Sequence, residues 1–292
     1  MHYVIGDVHG CFDDMMALIK KIESSDPDST IIFVGDFVDR GDQVKEVLDW
    51  CCDNITQDGR YQSVLGNHED MVRQFYEYWA LYELGQRPFL YNGPIYMSEC
   101  ETQERLELYS ITSWAKYIRF IRSLPLTKTV TVESVWGQQV TYRIVHSKYP
   151  YIYKNEEDYR EKCLWDRYFD CDGYDDFVVV HGHTPTVFYG DFYWTRDGIF
   201  KPGLISYKRH DINVDGGCVC ADEEPYPCML CAICLETLEE IYPMTIEERF
   251  SQYPQEGEDE AGIERRAQEY RDKYMTHDDP NRVEILKMLG KK

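Results

Sequence analysis

"TIIFVGDFVDRG", Thr30 to Gly41, changes character halfway. Its first half is short, apolar and rich in β-branched residues, the composition of a buried strand. Its second half carries two aspartates, Asp36 and Asp39, and an arginine, Arg40. Two other stretches share the form: "YVIGDVHG", Tyr3 to Gly10, and "SVLGNHE", Ser63 to Glu69. In each, an apolar run stops at a glycine and a residue able to bind metal follows at once.

Helix-like segments come after all three. "MMALIKKI" follows Asp13 and Asp14, acids suited to a first helical turn. "VKEVLDWCCDNI" and "MVRQFYEYWALYEL" follow the other two. The order is β-α-β-α-β-α, so the chain reads as α/β. Residues 72–123 read as a mostly helical insertion with a loop near "QRPFLYNGPIYMS". Its last part, "ERLELYSITSWAKYIRFIRSL", keeps helical apolar spacing until Pro125 closes it.

From Thr127 the pattern turns to alternation. "KTVTVES" and "QQVTYRIVHS" flank "VWG" like a hairpin, and "FVVVHGH" and "DINVDGG" are further strand-like runs. The expected organisation is therefore a catalytic domain over 1–243 and a charged, helical C-terminal tail over 244–292. In that tail "YPQEGEDEAG" reads as a linker and "GIERRAQEYRDKYM" as a helix.

Composition narrows the function. Lys and Arg total 31 against 53 Asp and Glu, a net charge of −22 in 292 residues. Such a surface repels a phosphate backbone, so nucleic acid is not an expected partner. An anionic substrate would need local positive charge, from metals or placed arginines. No run of about eighteen apolar residues suggests a membrane span. "MHYVIGDVHG" does not read as a signal peptide. With 11 cysteines, an odd number, the expectation is a reduced, cytoplasmic protein. Five of them crowd into "CVCADEEPYPCMLCAIC", Cys218 to Cys234. The CxxCxxC spacing invites zinc, but no separate second pair completes a tetrahedral set. The other reading is a partly buried strand region using cysteine as a small hydrophobe.

The chelating residues fall at strand ends. Asp7 and His9 follow the first strand, Asp36 the second, and Asn67 and His68 the third. His146 ends "YRIVHS", while His181 and His183 end "FVVVHGH". Ligands of open α/β sheets gather at the carboxyl ends of strands. An Asp, His and Asn set there suits manganese, iron or zinc. Any one of these residues has an ordinary structural explanation; the ordered recurrence does not.

"GDVHG", "GDFVDRG" and "GNHE" together resemble the signature of the calcineurin-like metallophosphoesterases in their serine/threonine-phosphatase form. The short bacterial and phage branch, lambda-phosphatase-like, is the nearest in kind. A related group hydrolyses bis(5′-nucleosyl) tetraphosphates. The resemblance covers about residues 1–243. It implies two mixed β-sheets packed as a sandwich and flanked by helices; the βα rhythm alone does not separate that from a doubly wound sheet.

The resemblance also implies two divalent metal ions, manganese first, with iron or zinc as alternatives. Asp36 would bridge them. Asp7 and His9 would complete one, and Asn67, His146 and His183 the other. A hydroxide between the metals would attack phosphorus directly. Arg40 and Arg167, the latter in "CLWDRYF", would hold the phosphate. His68, oriented by Asp39, would protonate the leaving group. In "VVVHGHTP" the resemblance points to His183 as the ligand and gives His181 a structural or supporting place. Asp215 of "INVDGG" is expected to be structural. "VHSKYP" departs from the family's H-x-G. In "LYNGPIYM" Pro94 replaces a second glycine.

The implied activity is a serine/threonine, or dual-specificity, protein phosphatase acting on phosphoproteins or small phosphorylated substrates. The alternative is a diadenosine tetraphosphate hydrolase. An inactive binding or scaffold protein comes third, because every expected ligand position is filled.

Overall fold

Strand β1 (His2–Ile5) shows how the sequence builds the fold. Successive side chains of a strand point to opposite faces. Tyr3 and Ile5 face a layer of helices, while Val4 faces a second sheet. Strand β2 (Thr30–Phe33) does the same: Ile31 and Phe33 turn to the helices, Ile32 to the other sheet. Both faces are apolar because both are covered, which is why these runs show no polar alternation. The computed structural model describes residues 1–86, 102, 111–167, 176–189, 201–275 and 278–291.

The first sheet runs β10-β9-β1-β2-β3, with β3 at Tyr61–Ser63, β9 at Ala232–Cys234 and β10 at Glu240–Ile241. Its members β1, β2 and β3 are parallel. Helices α1 (Phe12–Ser25), α2 (Val44–Asn54) and α3 (Asn67–Glu83) connect or follow them. A 3-10 turn at Ile111–Trp114 leads into α4 (Ala115–Ser123).

The second sheet runs β4-β5-β6-β8-β7. Strands β4 (Thr127–Glu133) and β5 (Gln139–Val145) form the expected hairpin. Strands β5, β6 (Val178–His181) and β8 (Asp211–Asn213) are parallel, and β7 (Ser206–Lys208) pairs antiparallel with β8. Tyr142, Ile144, Val178, Val180 and Ile212 meet Val4, Ile32 and Ile233 between the sheets. The fold is thus an α/β sandwich of two mixed five-stranded sheets with helices outside.

Helix α5 (Glu156–Trp165) gives no apolar rhythm in sequence, because only Cys163 and Leu164 are buried. What starts it is local: the Asn155 side chain accepts the Asp158 N–H, and three acids fill the first turn. Strand β7 has three residues, too few to display a period.

Beyond Thr245 come α6 (Ile246–Gln252), α7 (Glu260–Tyr274) and α8 (Pro280–Met288). Ile285, Leu286 and Leu289 bury themselves with the inter-sheet layer. Phe250, Ala267 and Tyr270 pack with Leu204 and Met229. The loop over residues 90–97, with Pro94, and the 104–110 part of the expected helix lie outside the described residues. Among the described residues, no helix is long and apolar enough to cross a membrane.

Candidate metal centre

Parallel strands carry their carboxyl ends to a common edge, and the loops there interlock. The Val8 and His9 N–H groups both donate to the Asp36 carbonyl, at 3.0 and 2.8 Å. The Gly41 N–H returns to the His9 carbonyl at 3.0 Å. Five residues of these loops hold left-handed backbones without being glycine: His9 (φ 42°), Asp36 (54°), Asp39 (66°), Arg40 (67°) and His183 (71°). Each such conformation costs about 1–3 kcal/mol and persists only where the surroundings impose it. All five are residues singled out from the sequence.

Four donor atoms converge at one place. His146 Nε2 lies 2.7 Å from Asn67 Oδ1, 3.2 Å from His183 Nδ1 and 3.3 Å from an Asp36 carboxylate oxygen. His183 Nδ1 lies 2.9 Å from Asn67 Oδ1. These are not ordinary hydrogen bonds. The other ring nitrogen of His146 faces the Val34 carbonyl at 2.9 Å, so it carries the proton and leaves Nε2 a bare lone pair. Lone pairs thus point at one another, an arrangement that a cation between them would satisfy.

On the other side of Asp36, His9 repeats the pattern. Its Nδ1 faces the Val38 carbonyl at 2.7 Å, and its Nε2 points at the Asp36 carboxylate at 3.5 Å. Groupings able to hold a metal among the described residues are His9–Asp36–His68 and Asp36–His146–His183, with Asp36 common to both. Asp7 stands beside them. One of its oxygens accepts the His183 N–H at 2.9 Å, and the other is buried with no partner. An orphaned carboxylate oxygen in a buried acidic cluster suits a cation, as does a donor set of imidazole, carboxylate and amide oxygen. The residues therefore fit divalent metal ions.

The protonation states agree. Burial holds His9 and His183 well below the usual imidazole range. Burial alone would raise Asp36, yet its carboxylate is held well below the usual range, with His68 beside it among the groups that lower it. Asp7 is pushed well up by burial and by Asp215 and Asp36.

His68 has a different setting. Its Nδ1 meets the Asp39 carboxylate at 2.6 Å, and its Nε2 stands 3.5 Å from the Arg40 guanidinium. Burial opposes charge on this ring, yet Asp36 and Asp39 outweigh it and raise its pKa. Thr102, buried, donates its hydroxyl to the other Asp39 oxygen. Nothing in the sequence around Thr102 signals this. Arg40 is exposed at the rim, and Arg167, also exposed, donates to the Thr184 hydroxyl at 3.2 Å beside His183.

The two histidines of "VVVHGHTP" part company. His183 joins the convergent donors, whereas His181, the last residue of β6, sets its Nε2 2.8 Å from Asp211 on β8. Asp215 is buried, accepts the Gly217 N–H at 2.9 Å and is raised to about 6, first by burial. The acid that sequence reasoning passed over is Glu69. It is fully buried and accepts backbone N–H groups from the Asp36 loop.

The cysteine segment gathers no such donors among the described residues. Cys218, Cys228, Cys231 and Cys234 are buried among apolar side chains, and Cys231 and Cys218 donate their thiols to backbone carbonyls.

The sequence matches the family model for calcineurin-like phosphoesterases over residues 3–209. It is 43% identical over 68 residues to a symmetrical bis(5′-nucleosyl)-tetraphosphatase of Neisseria gonorrhoeae, covering 23% of this chain and 24% of that protein. It is 37% identical over 81 residues to the asymmetrical bis(5′-nucleosyl)-tetraphosphatase PrpE of Anoxybacillus flavithermus, covering 25% and 33%. The chain thus spans only a quarter to a third of the length of these relatives. A metallophosphoesterase structure from Sphaerobacter thermophilus superposes with a TM-score of 0.47 at 15% identity, covering 91% of this chain and 97% of the other. A serine/threonine phosphatase from Saccharomyces cerevisiae gives 0.44 at 18%, covering 73% and 65%.

Proposed function

Because this chain belongs to the calcineurin-like phosphoesterase family, we propose that it is a metal-dependent hydrolase of phosphomonoesters, acting as a serine/threonine, or dual-specificity, protein phosphatase. Asp36 would be the shared ligand of two divalent ions, manganese first. Asp7 and His9 would complete one set, and Asn67, His146 and His183 the other. Bound there, the ions supply positive charge that activates water and draws charge from phosphoryl oxygens. They also answer the net charge of −22, since exposed charges beyond a Debye length are screened.

The protein's own groups do the rest. Arg40 and Arg167 offer guanidinium forks to the non-bridging phosphate oxygens. The Asp39 carboxylate orients His68, whose Nε2 proton goes to the departing oxygen. The observation that carries this reading is the 2.6 Å contact of His68 with Asp39 beside the donor cluster. A poised proton matters most for a poor leaving group such as the alkoxide of serine or threonine.

The second reading, a dinucleoside polyphosphate hydrolase, is favoured by the names of the relatives that match part of the chain. Its leaving group is a phosphate, which needs protonation less. Turnover of a phosphoserine and phosphothreonine peptide panel against diadenosine tetraphosphate, with manganese, separates the two. A kcat/KM higher on diadenosine tetraphosphate would replace the first reading by the second.

A further inference from the structure

Glu69 closes "GNHE" and is wholly buried on the first turn of α3. One of its oxygens accepts the Asp36 N–H at 2.8 Å. The other accepts the Phe37 N–H at 2.7 Å and the Val38 N–H at 3.2 Å. Three successive backbone N–H groups turned to one point form an anion-binding concavity, and the left-handed Asp36 (φ 54°) is what turns them. Here the anion is supplied from within the chain.

The junction has no slack. A Cβ on Gly66 would fall 2.2 Å from the Asp36 Oδ1 and 2.5 Å from the Glu69 Oε2. The His68 N–H meets that same Asp36 oxygen at 3.1 Å. Asp36 is therefore gripped twice by the start of α3, at its backbone by Glu69 and at its side chain by His68. The carboxylate has to reach both donor groups, so a small rotation of its backbone would spoil both.

We propose that Glu69 is a positioning residue for the metal centre. Filling the concavity with its carboxylate holds Asp36 in its left-handed conformation and fixes the bridging carboxylate between the two ligand sets. It touches neither metal nor substrate. The inference rests on the metal-centre reading and assigns the brace that keeps that centre in register.

The test is manganese binding by Glu69→Gln, measured by calorimetry and by metal content after gel filtration. The amide keeps the shape but turns an N–H₂ toward one of the backbone N–H donors. We expect an unchanged circular dichroism spectrum and manganese affinity weakened roughly 10–100-fold, as for other groups that orient ligands. The visible spectrum of the cobalt-loaded protein should change as well. Ile285→Ala, in the inter-sheet layer, is the control: it should lower the thermal midpoint and leave manganese affinity and the cobalt spectrum as in the wild type. Glu69→Asp retains charge but draws both oxygens back by one methylene; it should give an intermediate loss, and serves if the Gln variant does not fold. Wild-type affinity and spectrum in Glu69→Gln or Glu69→Asp would overturn the inference. So would weakening that merely tracks the thermal midpoint, as judged against Ile285→Ala. A wild-type protein that takes up no manganese or cobalt would instead overturn the metal reading itself, and the inference with it.

Discussion

The strand-end loops and the Cys218–Cys234 segment both hold metal-binding side chains at close spacing, and the structure uses them in opposite ways. In the loops, two histidines spend one nitrogen on a carbonyl and aim the other at the Asp36 carboxylate. His146 does so through Val34, and His9 through Val38. In the cysteine segment the thiols themselves are the donors, Cys231 to the Met229 carbonyl at 3.2 Å and Cys218 to the Asp7 carbonyl at 3.4 Å. Burial raises the thiols of Cys228, Cys231 and Cys234, so the thiolate a metal needs is disfavoured. Ligand chemistry in a sequence becomes a site only when the remaining hydrogen bonds leave lone pairs pointing together.

Replacing the shared ligand tests that contrast most severely. Asp36→Asn should lose both metal equivalents and nearly all phosphatase activity, read by metal analysis and a p-nitrophenyl phosphate assay. Full metal content in that variant would break the picture of a shared carboxylate.

The next largest effect should come from His68→Asn, which keeps the ligands and removes the proton. Turnover of phosphoserine peptides should fall about 10²–10⁴-fold. Turnover of p-nitrophenyl phosphate, whose leaving group needs little protonation, should fall far less, with metal content unchanged. Equal losses on both substrates would count against the acid role.

The two neighbouring histidines give a sharper and smaller test. His183→Ala should remove a metal equivalent. His181→Ala should retain both and cost about 1–3 kcal/mol of stability in urea, because Asp211 loses its buried partner. Loss of metal on His181→Ala alone would mean that the roles are reversed.

The smallest effect belongs to the cysteines. Cys231→Ala should leave metal content and activity at wild-type levels and lower stability by about 1–2 kcal/mol, through lost packing between the sheets. A drop in bound zinc there would erase the difference between the two regions.

Much of this was legible because it is local. Short apolar runs ending in "GD", "GD" and "GN" announce strands that finish on polar loops, and the residues at those ends are the ones brought together. The hairpin of β4 and β5 shows in its alternation. Helix α5 escaped because two buried residues make no period, and its start lies in a cap and a cluster of acids. Thr102 and Glu69 escaped for another reason. Their partners, Asp39 and the backbone of Asp36 to Val38, are 63 and 31–33 residues away, and hydrogen bonds of that span leave no pattern in sequence.

The amino-acid sequence by itself determined β1 to β6 and β8 as strands and the identity of the converging residues. These follow from side-chain type and spacing along a single segment. Only the tertiary structure decided that a second sheet stacks face to face on the first, since a strand apolar on both sides is the same string whether helices or another sheet cover it. The same holds for the histidines of "VVVHGHTP". Their types are identical, and what separates them is geometric: β8 sets Asp211 against His181, while the left-handed turn at His183 swings its ring into the centre.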